Sequence, residues 1–423
     1  MNRTIFLCFP FALLFITSCA SVTEGLVRGL TDDEIAEDTR KCWIEGREFQ
    51  GIKDIWESES QGTVSAKAPS KPIKILKIHG IGSHKPGYSA RLRENIVNRL
   101  NFTIMDENTR RLSLVHPEYA DDLGVLTVDR YIQPETQREI IYYELTWDPI
   151  IQSEKDTLDF DNSSIVSTKR TTLNHTMKTF VNDTIPDALM YNSPFRFPIQ
   201  LSVSQAICWM LDVSWEQLPV TGDHQCLADN DLFNSASEQE FAIISHSLGS
   251  RIALDALHSI MERLLNHPDF TAELKRDIQD VKVQLYMLSN QLPLLQLGQA
   301  KPSVTGQIQQ YCYADSPFYE ERFFKQLQMV AVSDPNDLFS YIVPPEFVAQ
   351  RVDSRLCPSV TNVVINVAEV NDLFGIEEIA NPLNAHTEYE NDARVIALIA
   401  EGFGKAHGAR EARDTCSFMQ TIP

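Results

Sequence analysis

Apolar residues gather in short runs that alternate between strand-like and helix-like spacing. Pro72-Ile73-Lys74-Ile75-Leu76-Lys77-Ile78 passes from alternation into an apolar run and stops at His79-Gly80-Ile81-Gly82. That pattern predicts a strand followed by a glycine-containing loop. Residues 88–100 carry a helical pattern, and 139–147 read as a second strand. The stretch 151–235 has no further strand signal and reads as mainly helical, with helices over 183–191 and 199–211 that would cover a sheet edge or form a lid. From Glu240 the alternation becomes regular: strand 241–245, helix 248–265, strand 281–288, helix 319–327, strands 328–332 and 360–367, helix 388–403. Strands alternating with helices call for a parallel sheet covered on both faces.

The chain has 423 residues, 43% of them apolar, enough for one large domain with insertions. Its 37 basic and 58 acidic residues give a net charge of −21. That balance, without any basic cluster, argues against nucleic acid as a partner. The N-terminus pairs a short basic start, Met1-Asn2-Arg3-Thr4, with the apolar run 5–16. This is the layout of a secretory signal, too short for a comfortable membrane span. It ends Ile16-Thr17-Ser18-Cys19-Ala20 and resembles the bacterial lipobox. The resemblance implies a signal peptide over 1–18, lipidation of Cys19 and, with Ala20 rather than Asp after it, an outer-membrane destination in a bacterial envelope. An ordinary signal or anchor helix that happens to contain a Cys is the alternative. Residues 19–72 are polar, Ser/Gly/Ala/Lys/Pro-rich from 58 to 72, and read as a tether and loosely structured entry segment.

With Cys8 removed and Cys19 lipidated, Cys42, Cys208, Cys226, Cys312, Cys357 and Cys416 remain, an even number suited to disulfides in an oxidising compartment. The nearby Cys208 and Cys226 suggest a local pair. No Cys-x-x-Cys is present, so neither a redox motif nor a zinc site is supported.

Ser245-His246-Ser247-Leu248-Gly249 joins an apolar strand directly to a helix. A serine hydroxyl is a poor nucleophile unless it is exposed, placed against a base and faced by donors for the oxyanion. A tight strand-to-helix turn strains its central residue and demands small neighbours two positions away on either side. Ser245 and Gly249 meet that demand, although Ser245 stands where the usual Gly-x-Ser-x-Gly has glycine. Helix capping by Ser247 is the plain alternative. The His79-Gly80-Ile81-Gly82 turn stands where a second oxyanion donor is needed.

Two aspartates after the strand at 328–332 compete as the acid: Asp337, followed by apolar residues and Pro344-Pro345, and Asp334, which fits an Asx turn before Pro335. His386, on a predicted loop between the last strand and the last helix, is the base candidate, an imidazole placed to reach across the strand ends to the serine, and the chain order Ser247, Asp337, His386 resembles that of the α/β hydrolases. His84, His246 and Asp255 read as structural or solvent-facing. Ser289-Asn290-Gln291 ends a strand and could line a pocket or simply turn the chain.

From about 73 to 405 the chain resembles the α/β-hydrolase superfamily, in particular its lipase- and esterase-like members. The resemblance implies the α/β-hydrolase fold over 73–423, a mostly parallel central sheet covered by helices on both faces, with a helical insertion around 151–235. It further implies Ser247 as nucleophile, His386 as general base and then acid, Asp337 (or Asp334) as orienting acid, and the backbone N–H groups of Ile81 and Leu248 as oxyanion hole. Supporting positions are His79, Gly80, Gly82, Ser245, His246 and Gly249. The expected activity is hydrolysis of carboxylic esters, lipids among them, with no cofactor or metal; partners are a small-molecule or lipid ester and the membrane reached through the N-terminal lipid. A thioesterase or amidase, and an idle hydrolase-fold lipoprotein used for binding or assembly, are the alternatives.

Overall fold

The computed structural model describes residues 41–59, 72–105, 108–116, 118, 121–226, 241–265, 271–373, 377–404 and 408–420. The signal peptide, Cys19, most of the tether and the last part of the insertion lie outside the described residues.

The core is a mixed α/β arrangement around one mostly parallel, 12-stranded sheet. Its strands are β1 (Cys42–Gly46), β2 (Ile73–Ile78), β3 (Thr103–Ile104), β4 (Arg110–Val115), β5 (Asp122–Ile132), β6 (Glu139–Thr146), β7 (Thr221–His224), β8 (Phe241–His246), β9 (Lys282–Leu288), β10 (Gln326–Ser333), β11 (Pro358–Ile365) and β14 (Cys416–Gln420). Across the sheet the order is β14-β1-β11-β10-β9-β8-β2-β6-β5-β4-β7, with β3 on β5. From β11 to β6 all neighbours are parallel. A separate antiparallel pair joins β12 (Val370–Leu373) to β13 (Glu377–Ala380).

The central strands bury both faces, which explains their continuous apolar runs. Leu76, Ile78, Ile243, Leu285 and Met329 point to one side, into a core shared with the helices Arg196–Asp212 and Gly249–Leu265. Ile75, Ala242, Ile244, Tyr286 and Val330 point to the other, against Ala90–Arg99, Ala393–Glu401 and Ile52–Glu59. Each fully buried Leu or Ile contributes about 1.5–3 kcal/mol. The two lysines of β2 are buried as well. Lys74 Nζ donates to the carbonyls of Met210 and Val213, the latter at 3.2 Å, at the negative C-terminal end of the helix Arg196–Asp212. Lys77 pairs with Glu390 at 2.5 Å.

Several expectations change. Part of the segment read as a loose entry is ordered: β1 pairs with β11 and β14, and Ile52–Glu59 is a helix. The expected helix 319–327 is instead a short 3₁₀ turn, Tyr319–Glu321, followed by the start of β10 at Gln326. The insertion is mainly helical, with Pro149–Asp156, Thr172–Tyr191 and Arg196–Asp212, but it also sends β7 to the far edge of the sheet. All six cysteines pair, Cys42–Cys416, Cys208–Cys226 and Cys312–Cys357. Among the described residues no helix is long and apolar enough to cross a membrane.

Candidate active site

Strand β8 passes through Ser247 into the helix Gly249–Leu265 without a loop. Ser247 takes the left-handed conformation, φ 55°, which a non-glycine residue adopts only under constraint. Its N–H is anchored to the Leu288 carbonyl at 2.8 Å. Ser245 tolerates its extra hydroxyl because Oγ finds the Tyr286 carbonyl and Ser250 Oγ, each at 3.2 Å. Gly249 has no such latitude: a Cβ there would meet the His79 carbonyl oxygen at 2.6 Å.

That contact brings the second turn to the first. Gly80 lies against Ser247, where a side chain would collide with Ser247 Cβ and the His246 carbonyl. His79 is buried and holds this turn rather than reacting. Its Nε2 accepts from the Trp147 N–H at 3.1 Å, so the proton sits on Nδ1 and is donated to the Gly80 carbonyl at 2.9 Å. Burial, together with neighbouring His84, pushes the His79 imidazole well below its ordinary range and keeps it neutral. Gly82, at φ 96°, donates to Asp187 Oδ2 at 2.6 Å, and Ser83 Oγ donates to Asp183 Oδ1 at 2.6 Å. Both aspartates belong to the helix Thr172–Tyr191 and share Lys155. The insertion therefore clamps the turn. Among the described residues the backbone N–H groups of Ile81 and Leu248 have no hydrogen-bond partner.

His386 sits on a six-residue helix, Pro382–Thr387, not on the loop expected; Asn381 caps that helix by accepting from Leu383 N–H, and Pro382 opens it. His386 Nδ1 lies 2.9 Å from Asp337 Oδ1. The remaining Asp337 acceptors take Ser289 Oγ at 2.6 Å, Tyr389 OH at 3.1 Å and the Phe339 N–H at 2.9 Å. Burial alone would raise the Asp337 carboxyl, but the hydrogen bonds from His386, Ser289 and Phe339 hold it below its ordinary value. A proton on Nδ1 leaves His386 Nε2 as an acceptor. Among the described residues neither that nitrogen nor Ser247 Oγ has a hydrogen-bond partner, so the two are not bonded to each other, and Ser247 is fully buried where the sequence calls for an exposed hydroxyl.

Asp334 makes no contact with His386. It accepts from the Asn336, Val367 and Ala368 N–H groups at 2.8, 2.7 and 3.1 Å, tying the end of β10 to the end of β11. No family model, curated protein or solved structure matches the chain. The chemistry of the site rests on its own geometry.

The other candidates find structural places. His246 Nε2 donates to the His386 carbonyl at 2.9 Å, and burial, then the charge of His386, pushes its imidazole well below the ordinary range. His84 Nδ1 donates to the Gly82 carbonyl at 2.8 Å and stacks on His79. Asp255 binds Arg251, Arg196 and Tyr191, locking the insertion to the helix that follows Ser247. Asn290 bonds Tyr341. Tyr389, and Ser289 beyond its reading as a strand-end residue, were not legible as partners of Asp337, because their contacts are long-range. His258, Glu262 and Asp353 cluster closely enough for a metal, but the Arg355 guanidinium already binds both carboxylates.

Proposed function

We propose that the protein is an exported, lipid-anchored serine hydrolase of the α/β-hydrolase type that cleaves carboxylic esters, lipids among them, through an acyl-enzyme. One observation carries the reading: His386 is bonded to Asp337 through Nδ1, and among the described residues its Nε2 and the Oγ of the strained Ser247 are both without a hydrogen-bond partner, including each other. In this reading Nε2 takes the Ser247 proton as Oγ attacks the ester carbonyl. The oxyanion of the tetrahedral intermediate accepts from the Ile81 and Leu248 N–H groups, donors worth about 10²–10³ in rate each. Collapse gives the acyl-enzyme, with the proton passed from His386 to the leaving alcohol. Water activated by the same nitrogen then releases the acid. Asp337 stays ionised, fixes the tautomer and stabilises the imidazolium.

A fluorophosphonate probe and short p-nitrophenyl esters test the reading. Labelling and turnover in the wild type that vanish in Ser247→Ala are expected. An unlabelled, inactive wild type would favour a binding scaffold instead, and faster turnover of matched thioesters or amides would reassign the bond. Labelled palmitate incorporated in the wild type but not in Cys19→Ala tests the anchor, and membrane fractionation tests the outer-membrane destination.

A further inference from the structure

Strands β8 and β9 run side by side, with His246 opposite Leu288, and the next residue on each is a serine in the left-handed conformation. Ser247 has φ 55° and Ser289 has φ 50°. Two neighbouring parallel strands thus end in two constrained serines, and their hydroxyls have opposite fates. Among the described residues Ser247 Oγ is without a partner, whereas Ser289 Oγ lies 2.6 Å from Asp337 Oδ2 and 2.9 Å from His386 Nδ1.

We propose that Ser289 is a positioning residue that fixes Asp337 and His386 as one unit through its hydroxyl. The inference deepens the hydrolase reading and rests on it for its kinetic consequence. The donor assignments follow from the chemistry of each group. Ionised Asp337 can only accept, so the Ser289 O–H points to Oδ2. The Ser289 lone pairs then face the Nδ1 proton, which finds Oδ1 and Oγ at the same 2.9 Å. The carboxylate is held at Oδ2 by Ser289 and Tyr389 and at Oδ1 by the Phe339 N–H, so it cannot rotate away from the imidazole. On the other side, the Ser289 backbone is fixed by its place at the end of β9. A left-handed non-glycine residue persists where its surroundings hold it there, and glycine would take this conformation without strain. What serine adds over glycine at this position is the hydroxyl.

That contrast supplies the experiment. Ser289→Gly removes the hydroxyl while relieving the backbone, and Ser289→Ala removes it while keeping Cβ. Both variants should unfold at or near the wild-type temperature. Each should lose about tenfold in kcat with KM within about twofold, as expected when an imidazole loses a group that orients it. The low-field proton resonance of His386 Nδ1–H, assigned by its loss in His386→Gln, should move in both. Wild-type kcat and an unmoved resonance in a stable Ser289→Gly would overturn the proposal. A resonance that moves in a protein whose wild type is neither labelled by fluorophosphonate nor active on esters leaves the positioning role standing and removes the hydrolase reading.

Discussion

Gly80 lies so close to Ser247 that a methyl group at residue 80 would sit 2.5 Å from Ser247 Cβ and 2.6 Å from the His246 carbonyl oxygen. Neither neighbour is the free end of a flexible chain. Gly80→Ala must therefore push the two turns apart and displace Ser247. A misplacement of about 1 Å costs on the order of 100-fold in rate. Gly87→Ala is the matched control: its φ of 95° makes the change strained by about 1–3 kcal/mol, but nothing lies within 4 Å of the added carbon. Ester kcat/KM should collapse in the first variant and hold in the second, with thermal unfolding recorded for both.

The two aspartates should separate cleanly. Asp337→Asn leaves the shape but destroys the charge and tautomer control, and kcat should fall about 10³–10⁴-fold. Asp334→Asn removes a charged acceptor from the Val367 and Ala368 N–H groups, and its effect belongs on stability, a loss of about 1–3 kcal/mol. Urea midpoints and kcat measured on both variants check this. The reverse pattern would exchange their roles.

Asp187 gives a pH dependence. Burial, only partly offset by Lys155 and the Gly82 N–H, raises its carboxyl to about 6 from an ordinary value of 3.8. The folded state therefore binds the proton more tightly than the unfolded chain. Stability from this group is greatest below pH 3.8 and falls as pH rises to about 6, by about 3 kcal/mol in total. Asp187→Asn mimics the protonated form. Its unfolding free energy should be close to wild type at pH 4 and gain relative to it by pH 7. A variant that is instead weakened at pH 7 would mean that the Lys155 pair outweighs the burial.

The disulfides should contribute unequally. Cys42–Cys416 spans 374 residues and Cys208–Cys226 spans 18. If chain entropy dominates, the paired substitution Cys42→Ser/Cys416→Ser costs about 2–3 kcal/mol more than Cys208→Ser/Cys226→Ser. Chemical denaturation of the two double variants measures the difference.

What the sequence disclosed follows the range of the interactions. Strands β2 and β8 were legible because both their faces are buried and short runs of isoleucine, leucine, alanine and phenylalanine dominate them, despite Lys74 and Lys77 in β2. Strands β4 and β5 were not, since Arg110, Arg111, Asp129 and Arg130 interrupt them and their register depends on pairing with each other and, for β5, with β6. Phe323, Phe324 and Leu327 have helical spacing, yet all three are buried outside any helix, Leu327 in β10, where tertiary packing overrides the period. Cys42–Gly46 is too short to register as a strand until its partners, more than 300 residues away, are in place. At the site, the two turns and the Asp337–His386 pair follow from residue type and order. Asp183, Asp187 and Lys155, which clamp the second turn, come from an insertion whose sequence carries no motif.

The bond between Cys42 and Cys416 closes the described chain, from its first strand to its last, into a covalent ring. A single cut in any connection between those two cysteines opens the ring without releasing a fragment. A chain nicked once there keeps every strand of its sheet tethered, and reduction of this bond separates the two pieces.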